Sequence, residues 1–124
     1  LMSVLHLKKP VIFITHSLLI WLLYFVMTYT VMKAFPATDQ LGLGAVLSLF
    51  AIGAIAMAAP LPGGAGSYHL LVPQGLVLLY GIDMSDAVAF TVIFHGWQTL
   101  IMILGGAVSL IITTTLVRKR SQAE

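Results

Sequence analysis

From Val11 to Met32 the chain carries no charged side chain, and about 20 residues of helix are what a hydrocarbon core of roughly 30 Å requires. A run of that length fixes the solvent before it fixes the fold. The rest of the chain agrees: of 124 residues, 60% are apolar and only 8% charged, against about 25% charged in an ordinary soluble domain. Too few polar groups exist to cover a water-exposed surface, so the expected fold class is an all-α integral membrane protein.

The same composition narrows the functions. Six Lys plus Arg against four Asp plus Glu give a net charge of +2, too little and too scattered for the basic stripe of a nucleic-acid binder. The chain has no cysteine, which excludes thiol catalysis and Cys-ligated zinc. Four histidines remain, at 6, 16, 69 and 95, with no i, i+4 pair, so neither a metal site nor a cofactor is expected.

Helices are expected at about 11–32, 41–59, 67–80 and 87–117. Lys33, Pro36 and Asp39 mark a loop after the first. The second ends at Pro60 and Pro62; in it Gly44 with Ser48, and Ala54 with Ala58, have the spacing that lets membrane helices approach closely. The third is short, is interrupted by Pro73, and is framed by Ser67 as N-cap and Gly81 as stop. Asp83, Ser85 and Asp86 offer caps for the fourth, which ends in Arg118-Lys119-Arg120 and has its natural bend at Gly105-Gly106. Lys8 and Lys9 precede an apolar run with no small-residue cleavage site, so the start does not read as a signal peptide. The chain, which opens on Leu1, reads as the C-terminal portion of a longer multi-pass protein, whose preceding helices would be its partners.

Basic residues flank the first and last helices, and the positive-inside rule puts both ends in the cytoplasm. Two layouts satisfy that parity. Either all four segments cross, or residues 41–59 and 67–80 form a broken, re-entrant pair around the Pro-Gly-Gly loop.

That loop, Pro60-Leu61-Pro62-Gly63-Gly64-Ala65-Gly66-Ser67, carries the most chemical information. Glycines at 63, 64 and 66 open backbone conformations closed to other residues, and a helix starting at Ser67 presents unpaired N–H groups. Together they make an anion site, suited to a lipid phosphate. A tight connection between two touching helices explains the same glycines, and both readings stand at this point. In the last helix His95, Gln98, Thr99, Met102, Gly105, Gly106, Ser109 and Thr113 share one polar or small face, suited to a groove or to helix association. Trp21 and Trp97 fall in mid-helix and read as packing residues, and His16 with Tyr24 and Thr28 as structural.

The motif from Pro60 to His69, the turn at Gly81 and the long helix carrying Gly105 resemble the C-terminal part of the lysylphosphatidylglycerol synthase transmembrane family, also called flippase-like or UPF0104. The resemblance covers nearly the whole chain. It implies a multi-pass protein of the bacterial or archaeal plasma membrane, linked in some members to moving a phospholipid or polyprenyl-linked lipid between leaflets. The family's aminoacyl-transferase activity belongs to a separate soluble domain with no counterpart here. Where many relatives have Glu three residues after the last motif glycine, this chain has His69; where many have Arg in the following helix, it has His95. The paired change implies that His69 and His95 face each other.

The expected function is therefore that of a flippase-like protein and not an enzyme. Gly63, Gly64, Gly66, Ser67, Tyr68, His69, His95 and Gln98 are its candidate lipid or anion contacts, and membrane lipids its partners. The alternative is a non-transporting scaffold or accessory subunit, in which the polar face serves assembly, with homo-oligomers included. No Ser/His/Asp set, paired intramembrane carboxylates or HExxH motif supports an enzyme.

Overall fold

The computed structural model describes residues 9–60, 62–64 and 66–121, the last three as backbone only. Leu1 to Lys8, with His6, lie outside the described residues, as do Leu61 and Ala65 of the Pro-Gly-Gly segment. Among the described residues four α-helices follow in order, α1 (Pro10–Ala34), α2 (Leu43–Ala58), α3 (Ser67–Tyr80) and α4 (Met84–Ser121), with one 3-10 turn, Pro62–Gly64, between α2 and α3. No strand occurs among the described residues.

Each boundary has a local cause. Proline at the first position of α1 lacks only a donor that would be unpaired anyway. The helix stops where Phe35 turns extended, and Thr38, fully buried, returns its hydroxyl to the carbonyls of Met32 at 2.8 Å and Phe35 at 3.3 Å. Lys33 donates to the carbonyls of Asp39 and Leu41, at 2.6 and 2.9 Å, bracing the loop. Gly81 ends α3 in the left-handed conformation, φ 67°, its N–H bonded to the Val77 carbonyl at 3.0 Å.

The last helix starts at Met84, three residues ahead of expectation, because Asp83 is the residue that caps it. Its carboxylate accepts from the Ser85 N–H at 3.0 Å and the Ser85 hydroxyl at 2.9 Å. Ser85 and Asp86 therefore sit inside the first turn, where Asp86 complements the helix dipole. Gly105-Gly106 does not break α4, which runs on to Ser121. Nor does Pro73 break α3; it lies buried inside the helix. Its missing N–H leaves the His69 carbonyl, four residues back, without an intrahelical donor.

The helices pack as a series, α1 on α2, α2 on α3 and α3 on α4. The core they enclose, with Met32, Val46, Leu49, Val72, Leu76, Phe90 and Phe94 buried, belongs to one end of the molecule. Every residue from Trp97 to Arg118 except the half-buried Gln98 is exposed, as are Val11 to His16 and Leu18 to Leu23.

Close helix contacts fall elsewhere than the small-residue spacing implied. Gly44 faces open space, Ser48 bonds back to its carbonyl at 3.0 Å, and Ala58 is exposed. The tight places are Gly53, where a Cβ would stand 3.2 Å from the Tyr68 ring, and Gly75, where it would stand 2.6 Å from Ile52 Cδ1.

Helix lengths fix how far the middle pair reaches. At 1.5 Å per residue α2 and α3 extend about 24 and 21 Å, α1 about 38 Å and α4 about 57 Å. The start of α3, just past the turn, meets α4 at His95, about 17 Å from Met84, leaving roughly 39 Å of α4 beyond it.

Candidate functional site

The glycines of the turn are required by conformation. Gly63, Gly64 and Gly66 have φ of 61°, 68° and 91°, a region that strains any residue with a Cβ. Gly64 is buried, and a Cβ there would collide with the Met57 side chain; Gly63 and Gly66 are exposed. The cap position of α3 is Gly66, without a side-chain cap, so Ser67 is the first helical residue and not the N-cap. Its hydroxyl donates instead to the Ala56 carbonyl at 2.7 Å and the Gly64 carbonyl at 3.2 Å, because the last turn of α2 leaves carbonyls in need of donors. The first N–H of α3 with a helical partner is that of Leu70, bonded to Gly66 at 2.9 Å. The amides of Ser67, Tyr68 and His69 stay unspent by the helix.

Tyr68 and His69 leave α3 toward α4. The Tyr68 ring, 4% exposed, lies over Gly53 and stacks on His95 with centroids 4.6 Å apart and planes at 27°. His69, exposed, meets His95 edge-on, with centroids 5.0 Å apart at 84°. The backbone of Gly63 also lies within reach of the His95 ring. His95 is 8% exposed, and its Nδ1 is buried with no hydrogen-bond partner among the described residues. Buried polar atoms are rarely left so. The turn and two imidazoles from different helices thus form one cluster.

Beside it lies a cavity of about 130 Å³ between α1, α2 and α4, walled by Trp21, Tyr24, Met27, Thr28, Phe50, Gly53, Met57, Phe94 and others. Tyr68 and Gln98, half-buried one turn beyond His95, are the candidate residues that line it; Gly63, Gly64, Gly66, Ser67, His69 and His95 do not. Tyr68 is the wall between the imidazoles and the apolar space.

Little in the amino-acid sequence points to the cavity. Its one signal was Trp21, too deep for an interfacial residue; here it packs edge-on against Phe50 at 5.8 Å. Both tryptophans expected to pack are nonetheless more than half exposed, Trp21 at 53% and Trp97 at 57%. Thr28 is buried with its hydroxyl on the Tyr24 carbonyl at 2.9 Å, whereas His16 makes only a local contact to the Ile12 carbonyl at 2.7 Å. Beyond His95 and Gln98, the polar face of α4 is uncovered by the other described helices: Thr99, Met102, Gly105, Gly106, Ser109 and Thr113 are exposed.

Helices α1 and α4 are both long and apolar enough to cross a membrane, at Pro10–Ala34 and Met84–Arg118. No curated protein and no solved structure matches the chain significantly. The family model described as the lysylphosphatidylglycerol synthase TM region matches residues 2–106, which takes in α1, α2, the turn, α3 and the whole packed half of α4. On that match the chain is a membrane protein and belongs to the lysylphosphatidylglycerol synthase transmembrane-region family.

Proposed function

We propose that the chain is part of a multi-pass protein of a bacterial or archaeal plasma membrane that binds a phospholipid or polyprenyl-linked lipid and moves it between leaflets, without covalent chemistry. Helices α2 and α3 form the re-entrant pair of a helical bundle completed by preceding helices, with the glycine turn near mid-membrane. The headgroup is received by the amides at Gly63, Gly64, Gly66, Ser67, Tyr68 and His69, with His95 and Gln98 completing the polar lining.

The observation that carries this reading is His95: a buried imidazole with an unpartnered Nδ1, held against the uncapped first turn of a second helix. An ionisable side chain at membrane depth is expensive and marks a functional path, and a helix start with open amides favours an anion. The depth is supported by the short reach of the middle pair, since non-helical backbone inside a membrane persists only where protein buries it or a cavity adjoins it.

Full-length protein in liposomes with labelled phospholipids tests the proposal through leaflet exchange. His95→Ala and Gln98→Ala are expected to slow exchange on the order of tenfold or more, since a hydrogen bond to a charged group contributes roughly 1.5–3 kcal/mol, with folding and assembly kept. Unchanged exchange with lost assembly would support the scaffold reading instead. One observation favours association as an added role: the exposed distal half of α4 presents Gly105, Ser109 and Thr113 four residues apart.

A further inference from the structure

A phosphate-bearing headgroup brings a negative charge, and a charge taken out of water needs an opposite one beside it. Among the described residues the surroundings of the His69–His95 pair hold no fixed cation. From α3 the Tyr68 phenol faces it, stacked on His95. Tyr24 of α1 stands across the cavity that Tyr68 walls. Helix α2 has no titratable side chain along its whole length. On α4 the acidic residues are Asp83, just before the helix, and Asp86, in its first turn. Lys33 is tied to loop carbonyls at the far end of α1, Lys9 precedes the other end, and Arg118 is about 35 Å further along α4. The two imidazoles are the groups there whose charge can change near neutrality.

We infer that an anionic headgroup enters this site together with a proton, which the His69–His95 pair takes up, so that lipid binding and proton binding are one linked event. The inference rests on the headgroup reading above and adds the counter-charge that reading requires. The imidazoles stand with centroids 5.0 Å apart, and a single proton held by the pair with one phosphodiester anion makes a neutral cluster. The buried Nδ1 of His95, which has nothing to bond, gains an acceptor in the anion once it is protonated. Nothing of the kind is needed for a headgroup that carries its own cation.

Calorimetry decides the matter. Full-length protein in detergent micelles is titrated near pH 7 with dioctanoyl phosphatidylglycerol, whose phosphodiester charge stays constant in this range, in two buffers of very different ionisation heat, Pipes and Tris. The difference in heat counts protons. About one proton per lipid is expected, with affinity falling roughly tenfold per pH unit above neutrality. The His69→Gln/His95→Gln pair is expected to lose the uptake, and dioctanoyl phosphatidylcholine to bind wild type without it. Tight phosphatidylglycerol binding with equal heats in both buffers overturns the linkage and leaves the headgroup reading standing, and so does uptake that survives in the double variant. No binding anywhere between about pH 5.5 and 8, by protein with normal thermal unfolding, overturns both.

Discussion

Gly44 and Gly53 lie on the same helix, and the difference between them is what stands opposite. Across from Gly44 there is open space, whereas Gly53 carries the Tyr68 ring. Thermal unfolding in detergent is expected to show Gly53→Val destabilised by about 1–3 kcal/mol, the usual result of overpacking, and Gly44→Val within about 0.5 kcal/mol of wild type. Gly64→Ala adds a left-handed strain of roughly 1–2 kcal/mol to its collision with Met57. Spacing along one helix showed that small residues recur but not which of them has a neighbour, which is why Gly44 and Ser48 drew attention and Gly53 did not. The proximity of His69 and His95 came from the resemblance; nothing local to either residue contains it, since their helices are set side by side by the turn at Gly81.

The extent of helix α3 was legible, from Ser67 to Tyr80, and its stop at Gly81 was read correctly, but the N-cap was not: Gly66, with positive φ, takes the place expected of Ser67. The start of α4 was not legible, because Asp83, Ser85 and Asp86 compete as caps and sequence does not rank them. Asp83 fills the role, and the Ser85 N–H and hydroxyl hold its carboxyl below the usual carboxylate range. A lowered folded-state value means the stabilisation is full above the unfolded value and is lost as pH falls through the folded one. Amide exchange protection at Ser85 and Asp86 is therefore expected to drop in Asp83→Ala at neutral pH, and in wild type only on acidification below the carboxylate range, while Asp83→Asn keeps part of it.

Membrane character followed from composition and run length, whereas the choice between a crossing pair and a re-entrant one did not, because Leu41 to Ala59 alone could span. Registration against the long helices is what bears on it: the turn stands level with His95 and the Trp21–Thr28 stretch, partners that only tertiary packing assigns. The absence of cysteine makes the test direct. Single cysteines at Gln40, Pro62 and Arg118 are to be treated with a membrane-impermeant maleimide from each side of sealed vesicles. Gln40→Cys and Arg118→Cys are expected to react from opposite sides, and Pro62→Cys at least about tenfold more slowly than Arg118→Cys from that side, because its backbone is embedded. Equal rates at Pro62 and Arg118 would mean that the pair crosses.

Past the tip of the middle pair, α1 and α4 continue with mostly exposed side chains, their main packing being on α2 and α3 respectively. Under the re-entrant layout the molecule is lopsided along the membrane normal: one leaflet abuts a plugged, loop-braced end, and the other opens straight onto the glycines. For the lipid movement proposed above, loading would then be a one-sided affair, with direction written into the architecture before any energy is supplied.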